Sequence, residues 1–376
     1  MKILMVLGIP AVRTLGAARI QVELAEALRA RGHEVDFLTG PDVYPRPPQN
    51  GVEGFLRAFP RASLPQLQRL ARNYDVIDGL EGCVTASKAT LDFEGVLVAR
   101  SVGLRSVYER WRVDAERRTP AMRGRRVGRI PRKLSRRYAL WEAKQSREHA
   151  DGFFVPNSAE RDELVGDIGA NRVSMLPFGL SDDHRLALAE AAHNRHRSAE
   201  LHVVFLGTWD ARKGCYDFPL LVRAIRHELP EAQFTLLGTN ASSERVMSEL
   251  GVGSDAHVRV VPHFRPEELP LMLAPATVGV FPSYAEGLGF AVLEQLAAGI
   301  PVVAYDVPGP HDILAPLDQR LLVPPGDVAA LARTILATSR GSLVTPDACV
   351  AHVSQYRWHD IAFDTIQAYS RWRSTS

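Results

Sequence analysis

Short apolar segments alternate with segments of helical periodicity along most of this 376-residue chain. The first apolar segment is KILMVL at residues 2–7, and residues 16–31 follow with apolar side chains three and four positions apart. Apolar runs between turn signals predict buried strands, and the periodicity between them predicts helices. In the first half of the chain, the predicted strands cover residues 2–7, 34–40, 74–80, 94–101, 151–158 and 173–179.

A second series of the same kind begins at residue 201. Its predicted strands cover residues 201–207, 232–238, 257–263, 278–283 and 301–306, with a helix at 219–229. Near-continuous apolar strands that alternate with helices indicate parallel sheets covered on both faces. We therefore predict an α/β fold with two doubly wound, parallel-sheet domains that face a cleft.

The predicted domain boundaries follow from the positions of these two series. We place an N-terminal domain at residues 1–180 and a C-terminal domain at 181–355, with the polar, His- and Arg-rich stretch 181–200 joining the halves. An aromatic and apolar stripe at helical spacing predicts a closing helix within 356–376 that packs back across the domains. The stripe consists of Trp358, Ile361, Ala362, Ile366, Tyr369 and Trp372.

Composition narrows the class of protein without changing the predicted fold. Hydrophobic residues make up 46% and charged residues 23% of the chain, as in ordinary globular domains. The three scattered cysteines indicate no disulfide framework and favour the reducing cytoplasm. The N-terminal MKILMVLGIPAV lacks a clear cleavage site and is interpreted as a first strand. No apolar run reaches the roughly 18 residues that crossing a bilayer requires.

Basic residues are concentrated between Arg100 and Arg147, although the net charge is only +2. This segment has 16 Lys or Arg residues against four acidic ones. One interpretation is a solvated face, and the other is a surface for an anionic membrane or a lipid-linked acceptor. The aromatic residues Tyr108, Trp111, Tyr138 and Trp141 lie in the same segment. No nucleic-acid-binding module accompanies them, so nucleic acid is not a predicted partner.

Two carboxylates, Glu286 and Glu294, stand in the otherwise apolar segment EGLGFAVLEQLAAGIPVV. The segment follows a predicted strand and contains a predicted helix start near Phe290, which is where parallel sheets bind ligands. Carboxylates are poor partners for phosphate but good acceptors for the hydroxyls of sugar and ribose. The alternative is that Glu286 only complements the helix dipole and that Glu294 is a solvated surface residue.

Glycines and cations flank these carboxylates. Gly287 and Gly289 would let the backbone approach a ligand closely, and the amides of Phe290, Ala291 and Val292 would hold an anion. A polar turn, LGTWDARKG at 206–214, follows the first strand of the second series. Its Arg212 and Lys213 would offer cationic donors to a diphosphate. A surface turn without function is the alternative interpretation of that motif.

The spacing Glu286-x₇-Glu294, followed by A-x-G-I-P-V-V, resembles the signature of retaining glycosyltransferases of family 4, the glycosyl transferases group 1. The resemblance covers most of the chain and implies the GT-B fold of two Rossmann-like domains. Four further segments follow the family pattern, namely TLGAARIQVELAEALRARGHEV (14–35), ADGFFVPNSAERDEL (150–164), VSMLPFGL (173–180) and VPGPHDIL (307–314).

The resemblance implies a role for each candidate residue. Lys213 and Arg212 would hold the donor's diphosphate. Glu286 would bind the hydroxyls of the transferred sugar, and Glu294 would bind the ribose. The other implied substrate-binding positions are Gly16, Ala17, Gly207, Thr208, Gly287, Gly289, Phe290, Ala291 and Val292.

The implied enzyme is of the hexosyltransferase type, retains the anomeric configuration, needs no metal or cofactor, and takes a UDP- or GDP-sugar as donor. Retention often involves a nucleophilic carboxylate, but nothing in the sequence supports that role for Glu286. We favour front-side attack, in which the leaving diphosphate takes the acceptor's proton. The expected acceptor is a glycan or a lipid-linked molecule. The expected location is the cytoplasm, with peripheral attachment to the inner face of the membrane as a further option.

The chain departs from the family pattern in three places. Thr208 stands where many relatives have an arginine, Ser101 and Val102 stand where many have a histidine, and Ala17 replaces a glycine. These differences leave open a catalytically silent protein that binds a nucleotide sugar. A dinucleotide-dependent oxidoreductase is disfavoured, because GIPAVRTLG rather than G-x-G-x-x-G follows the first strand.

Overall fold

The structure is a computed structural model that describes residues 1–13, 15–44, 51–118, 132–193, 200–253, 255–341 and 343–374. The chain divides into two compact units. Unit 1 comprises Met1–Gly179 together with Arg357–Ser376, and unit 2 comprises Leu180–Tyr356. Each unit contains one six-stranded sheet in which all the neighbouring strands are parallel, as predicted.

The sheet of unit 1 has the strand order β2-β1-β3-β4-β5-β6. Its strands are β1 Lys2–Leu7, β2 Glu34–Thr39, β3 Val76–Leu80, β4 Val96–Arg100, β5 Gly152–Val155 and β6 Val173–Met175. The helices are α1 Gly16–Ala30, α2 Gly40–Val43, α3 Gly51–Leu70, α4 Lys88–Leu91, α5 Arg105–Arg118, α6 Arg132–His149 and α7 Ser158–Ile168. Strands β3 and β4 are buried along their whole length, as central strands covered on both faces must be.

The sheet of unit 2 has the strand order β12-β11-β10-β7-β8-β9. Its strands are β7 His202–Leu206, β8 Gln233–Leu237, β9 Val258–Val261, β10 Val278–Phe281, β11 Val302–Tyr305 and β12 Leu322–Val323. The helices are α8 Asp182–His193, α9 Phe218–Glu228, α10 Ser243–Leu250, α11 Leu269–Leu273, α12 Phe290–Ala297, α13 Pro308–Asp318, α14 Val328–Ser339 and α15 Pro346–Val353. All the predicted strands form, most of them shorter at one or both ends, and only the two-residue β12 was not predicted.

The polar stretch 181–200, which was predicted to join the halves, includes Asp182–His193. These residues form α8, a helix of unit 2 that packs against α11 and α12. Although the sequence of α8 is mostly polar, one narrow face of the helix packs against its neighbours. On this face Leu188 is fully buried, and His184 lies one turn earlier. A helix needs only one such stripe to pack, so a mostly polar sequence can still be part of a domain.

The stripe that predicted a closing helix lies in α16, Trp358–Arg373, which belongs to unit 1. It packs against α1, and most of the predicted stripe is buried, including Trp358, Tyr369 and Trp372. The Nε1–H of Trp358 donates to the buried carboxylate of Glu23 on α1 at 2.6 Å. That the helix also reaches across to the second domain stays a prediction.

A buried ion pair ties α16 to the sheet of unit 1. Arg100 in β4 donates from Nη2 to Asp78 Oδ2 in the neighbouring strand β3 at 2.7 Å. The Tyr369 hydroxyl donates to the same oxygen at 2.6 Å, and the Arg100 guanidinium lies 4.1 Å from the ring centroid of Phe154. Every charged group in this cluster therefore has a partner, as burial requires.

Candidate functional site

The candidate residues of unit 2 lie in two loops at the carboxyl edge of its sheet. Strands β7 and β10 are paired neighbours that end at Leu206 and Phe281. The loops that follow them therefore start side by side, although they are far apart in sequence. This is the edge at which open α/β sheets bind their ligands.

The first loop is organised by Asp210. Its carboxylate accepts hydrogen bonds from the amides of Arg212, at 2.9 Å, and of Lys213, at 3.1 Å. The Thr208 hydroxyl donates to the same carboxylate at 2.5 Å. Ala211–Lys213 thereby form a short 3₁₀ turn that ends at Gly214, whose φ is +78°. In this chain, Thr208 thus supports the turn that carries the two cations.

The two loops approach each other closely at Gly214. A Cβ atom on this residue would lie 2.4 Å from the carbonyl oxygen of Pro282, so a larger residue would push the loops apart. The amide of Tyr284 donates to the carbonyl of Arg212 at 2.8 Å across the same contact. Glycine at position 214 therefore brings the cationic turn against the segment that contains Glu286.

Glu286 is the centre of the charged cluster. Its Oε1 lies 2.5 Å from Lys213 Nζ and 2.5 Å from Arg212 Nη1, and the Ser283 hydroxyl donates to it at 2.6 Å. Burial alone would raise the pKa of Glu286, which is 8% exposed, but the charges of Lys213 and Arg212 outweigh it and hold the pKa below its ordinary value. Lys213 Nζ also lies 4.6 Å from the ring centroid of Phe281.

Helix α12 begins directly behind this cluster. Gly289 precedes it with φ at +100°, a conformation that favours glycine, and offers no side chain to cap the helix. The structure therefore puts Gly287 in the loop and Phe290, Ala291 and Val292 in the first turn, as the sequence predicts. The Val292 amide already donates to the Gly289 carbonyl at 2.9 Å.

Glu294 lies in α12 and is 6% exposed, so the alternative of a solvated surface residue is wrong. His184 on α8 faces it, with Nε2 at 3.0 Å from Glu294 Oε1. His184 was not among the predicted site residues. A helical projection of residues 182–193 could have found it, because it lies one turn before the buried Leu188.

Two tyrosines hydrogen-bond to Asp217 and fix the loop that contains Glu286. Asp217 accepts hydrogen bonds from the hydroxyls of Tyr284, at 2.7 Å, and Tyr305, at 2.8 Å. The two rings lie 5.1 Å apart, centroid to centroid. Because Tyr284 belongs to the loop that carries Glu286, this contact fixes the loop to β11 and to the start of α9. Asp217, Ser283 and both tyrosines were missed by sequence reasoning.

In unit 1, Gly16 is the exposed first residue of α1, and Ala17, which follows it, is half-buried. A Cβ atom on Gly16 would meet no atom within 4 Å, so glycine is not required there by packing within the described residues. Gly207 follows β7 directly, as predicted. The roles assigned to these residues stay predictions.

Glu160 hydrogen-bonds the segment in which the family resemblance would place a histidine. The Ser101 hydroxyl donates to Glu160 Oε2 at 2.6 Å, and the Leu104 amide donates to Oε1 at 3.2 Å. Burial raises the pKa of Glu160 from 4.5 to about 7, although these hydrogen bonds oppose the shift. Ser101 thus anchors the turn between β4 and α5.

Where the side chains of residues 100–147 are described, most of the basic ones pair with acids of unit 1. Several of these acids come from outside the segment. These pairs include Arg100–Asp78, Arg105–Glu142, Arg110–Glu163, Arg136–Glu116 and Arg147–Glu81. Arg123, Arg125, Arg126 and Arg129 lie outside the described residues.

Within the described ranges, no helix is both long and apolar enough to cross a membrane. The same part of the chain contains no group of three or more His, Cys, Asp or Glu side chains that could hold a metal ion. Metal independence stays a prediction.

Two family models match the chain over most of its length. Residues 16–179 match the model described as Glycosyl transferase 4-like domain, and residues 200–340 match the one described as Glycosyl transferases group 1. The chain belongs to the group 1 glycosyltransferases. The recognition made from the spacing of Glu286 and Glu294 is therefore confirmed.

Curated relatives of this glycosyltransferase are similar over part of their length. O-antigen chain mannosyltransferase B of Escherichia coli is 27% identical over 185 residues, which is 45% of either chain. Glycogen synthase of Mycobacterium tuberculosis is 24% identical over 257 residues, covering 65% of this chain and 60% of that protein. The chain thus spans about half the length of these relatives.

Solved structures confirm the GT-B fold. Sucrose-phosphate synthase from Thermosynechococcus elongatus aligns over 100% of both chains with a TM-score of 0.75 and 21% identity. Anabaena HepE in complex with UDP-glucose covers 98% of this chain and 99% of its own, with a TM-score of 0.68 and 16% identity. At these identities the likeness establishes the fold alone.

Proposed function

We propose that this glycosyltransferase moves a sugar from a UDP- or GDP-linked donor to a glycan or a lipid-linked acceptor, with retention at the anomeric carbon and without a metal ion. The observation that carries the proposal is the buried cluster of Glu286, Lys213 and Arg212 at the carboxyl edge of the unit 2 sheet. Two cations and an ionised acceptor within one cluster are the groups that a sugar diphosphate requires.

In this proposal, different residues of the site bind different parts of the donor. Lys213 and Arg212 bind the diphosphate oxygens. The same two cations also pair with the carboxylate of Glu286. The start of α12 adds its dipole to the same anion. Glu286 accepts hydroxyls of the transferred sugar, and Glu294, five residues into α12, accepts those of the ribose. The complex of Anabaena HepE with UDP-glucose supports a nucleotide sugar as donor for this fold.

The surroundings of Glu286 favour front-side attack over a covalent intermediate. Its Oε1 is held by two cations and a hydroxyl, which makes the carboxylate a weak base and a poor nucleophile. In the proposed step the acceptor oxygen bonds to the anomeric carbon as the bond from that carbon to the diphosphate breaks. The departing diphosphate oxygen takes the acceptor's proton, and Lys213 with Arg212 stabilises the charge that develops there.

The alternative function is a catalytically silent protein that binds a nucleotide sugar. It is favoured by Thr208, which hydrogen-bonds Asp210 where many relatives have an arginine, and by Ser101, which hydrogen-bonds Glu160 where many have a histidine. A panel of UDP- and GDP-sugars, tested for binding by calorimetry and for release of the nucleoside diphosphate, separates the two. Turnover of a bound donor supports the enzyme, and binding without turnover supports the alternative.

We also propose peripheral attachment to an anionic membrane through α6. Leu134, Tyr138 and Trp141 are exposed on one face of this helix at helical spacing, and the two aromatic rings stack at 5.5 Å. Lys144 is exposed on the same helix. Exposed Tyr and Trp beside basic side chains suit the interface between water and anionic lipid headgroups.

A further inference from the structure

We infer that His184 is a positioning residue for Glu294, and that through it the site selects ribose over deoxyribose in the donor. The inference rests on the proposed function, in which Glu294 accepts hydroxyls of the donor's ribose. His184 itself touches Glu294 and acts through it.

The contact joins two helices of unit 2 that come from distant parts of the sequence. His184 lies near the start of α8 and Glu294 in the second half of α12, and the two helices pack against each other. The side chains of His184 and Glu294 are 11% and 7% exposed. Water therefore competes little for the hydrogen bond, and the helix packing maintains its geometry.

The direction of this hydrogen bond is set by its chemistry. An ionised carboxylate only accepts, so with Glu294 ionised the Nε2–H of His184 is the donor and Glu294 Oε1 the acceptor. A carboxylate has about four acceptor sites, and the imidazole N–H occupies one of them. The bond therefore restricts the orientation of the carboxylate.

The two glutamates of the site differ in what surrounds them. Glu286 is held by the charges of Lys213 and Arg212, whereas Glu294 meets an imidazole. The orientation of the Glu294 carboxylate matters for the recognition of ribose, because the 2′- and 3′-hydroxyls must both hydrogen-bond to acceptor oxygens. Losing one hydroxyl from a ligand leaves a buried acceptor unpaired, which is the usual source of strong discrimination.

The test compares His184→Phe, which keeps a ring of similar size and removes the donor, with His184→Gln, which restores an N–H donor. Calorimetry gives the affinities of wild type and both variants for UDP, GDP and their 2′-deoxy counterparts. His227→Phe, at an exposed histidine of unit 2, is the matched control.

We expect the wild-type protein to bind the ribonucleotide more tightly than its 2′-deoxy counterpart. The ratio of these two affinities should fall about tenfold in His184→Phe. His184→Gln and the control should keep the wild-type ratio. In turnover, His184→Phe should raise KM for the donor and leave kcat nearly unchanged. An unchanged ribose preference in His184→Phe overturns the inference while leaving the proposed function standing. A wild-type protein that binds neither UDP nor GDP overturns the proposed function, and the inference with it.

Discussion

Lys213 Nζ and Glu286 Oε1 lie 2.5 Å apart and are carried by loops that leave two adjacent strands of one sheet. Each residue stabilises the other's charge in a place where neither charge could be buried alone. The close packing of Gly214 against Pro282 makes this approach possible. The groups assigned to the diphosphate and to the transferred sugar therefore form one cluster, and changing either one alters both.

Replacing Lys213 by methionine should weaken diphosphate binding by about 10- to 100-fold, since a hydrogen bond to a charged group contributes roughly 1.5–3 kcal/mol. The affinity for uridine or guanosine, which lack phosphates, should not change. Calorimetry with the nucleoside and its diphosphate measures both. Arg265→Met removes an exposed cation of the same unit and serves as the control. Equal losses for nucleoside and diphosphate would contradict the assignment of Lys213.

Substituting Asp78 by asparagine should lower the free energy of unfolding of unit 1 by about 3–5 kcal/mol, because Arg100 would be left buried without its counter-charge. Asp92 is the matched control, since its carboxylate pairs with Arg72 on the surface and its φ of +50° suits asparagine. Asp92→Asn should change stability by no more than about 1 kcal/mol. Chemical denaturation of both variants gives the comparison, and similar losses would refute the account of the buried pair.

The raised pKa of Glu160 predicts a loss of stability as the pH rises. The folded protein holds this carboxyl proton up to about pH 7, whereas the unfolded chain releases it near 4.5. Stability from this group is therefore complete below pH 4.5 and is lost between 4.5 and 7, by up to about 3 kcal/mol. Burial also raises the pKa of Glu142 to about 7, so this residue adds to the loss of stability over the same pH range.

Glu160→Gln keeps the shape and an acceptor for the Leu104 amide but removes the titration. Its unfolding free energy, measured by denaturation at several values between pH 4.5 and 7, should fall less steeply than that of the wild type. Parallel curves for variant and wild type would show that Glu160 titrates normally in the folded protein.

The exposed stripe of α6 predicts binding to anionic vesicles that weakens as salt is added. Trp141→Ser should reduce this binding by about 10- to 100-fold, since burying one large apolar side chain contributes roughly 1.5–3 kcal/mol. Leu271→Ser, at an even more exposed apolar residue of unit 2, is the control and should bind as the wild type does. Flotation assays would contradict the proposal if neutral and anionic vesicles bound the protein equally.

The architecture could be predicted because it depends on local patterns. Buried parallel strands are apolar almost throughout, so the segments around residues 278–283 and 301–306 were recognisable. The approach of residues 212–213 to Glu286 also followed from position, because both loops leave the carboxyl edge of one sheet. The features that could not be predicted are contacts between side chains that lie far apart in the sequence.

His184 provides the clearest example of such a contact. Its stretch is polar, and nothing in the local sequence says that α8 packs on α12 or that the imidazole faces Glu294. The acids that pair with the basic segment were hidden for a related reason, since Asp78, Glu81 and Glu163 lie outside it in the sequence. Counting charges along a chain does not reveal which acids the fold brings alongside.

The most direct test of the central claim is donor turnover by Glu286→Gln. With a donor selected from the panel, release of nucleoside diphosphate by the wild type should fall at least about 100-fold in the variant, as expected when a group that touches the reacting sugar loses its charge. Circular dichroism should show an unchanged fold. Near-normal release by a folded Glu286→Gln protein would contradict the role assigned to this cluster.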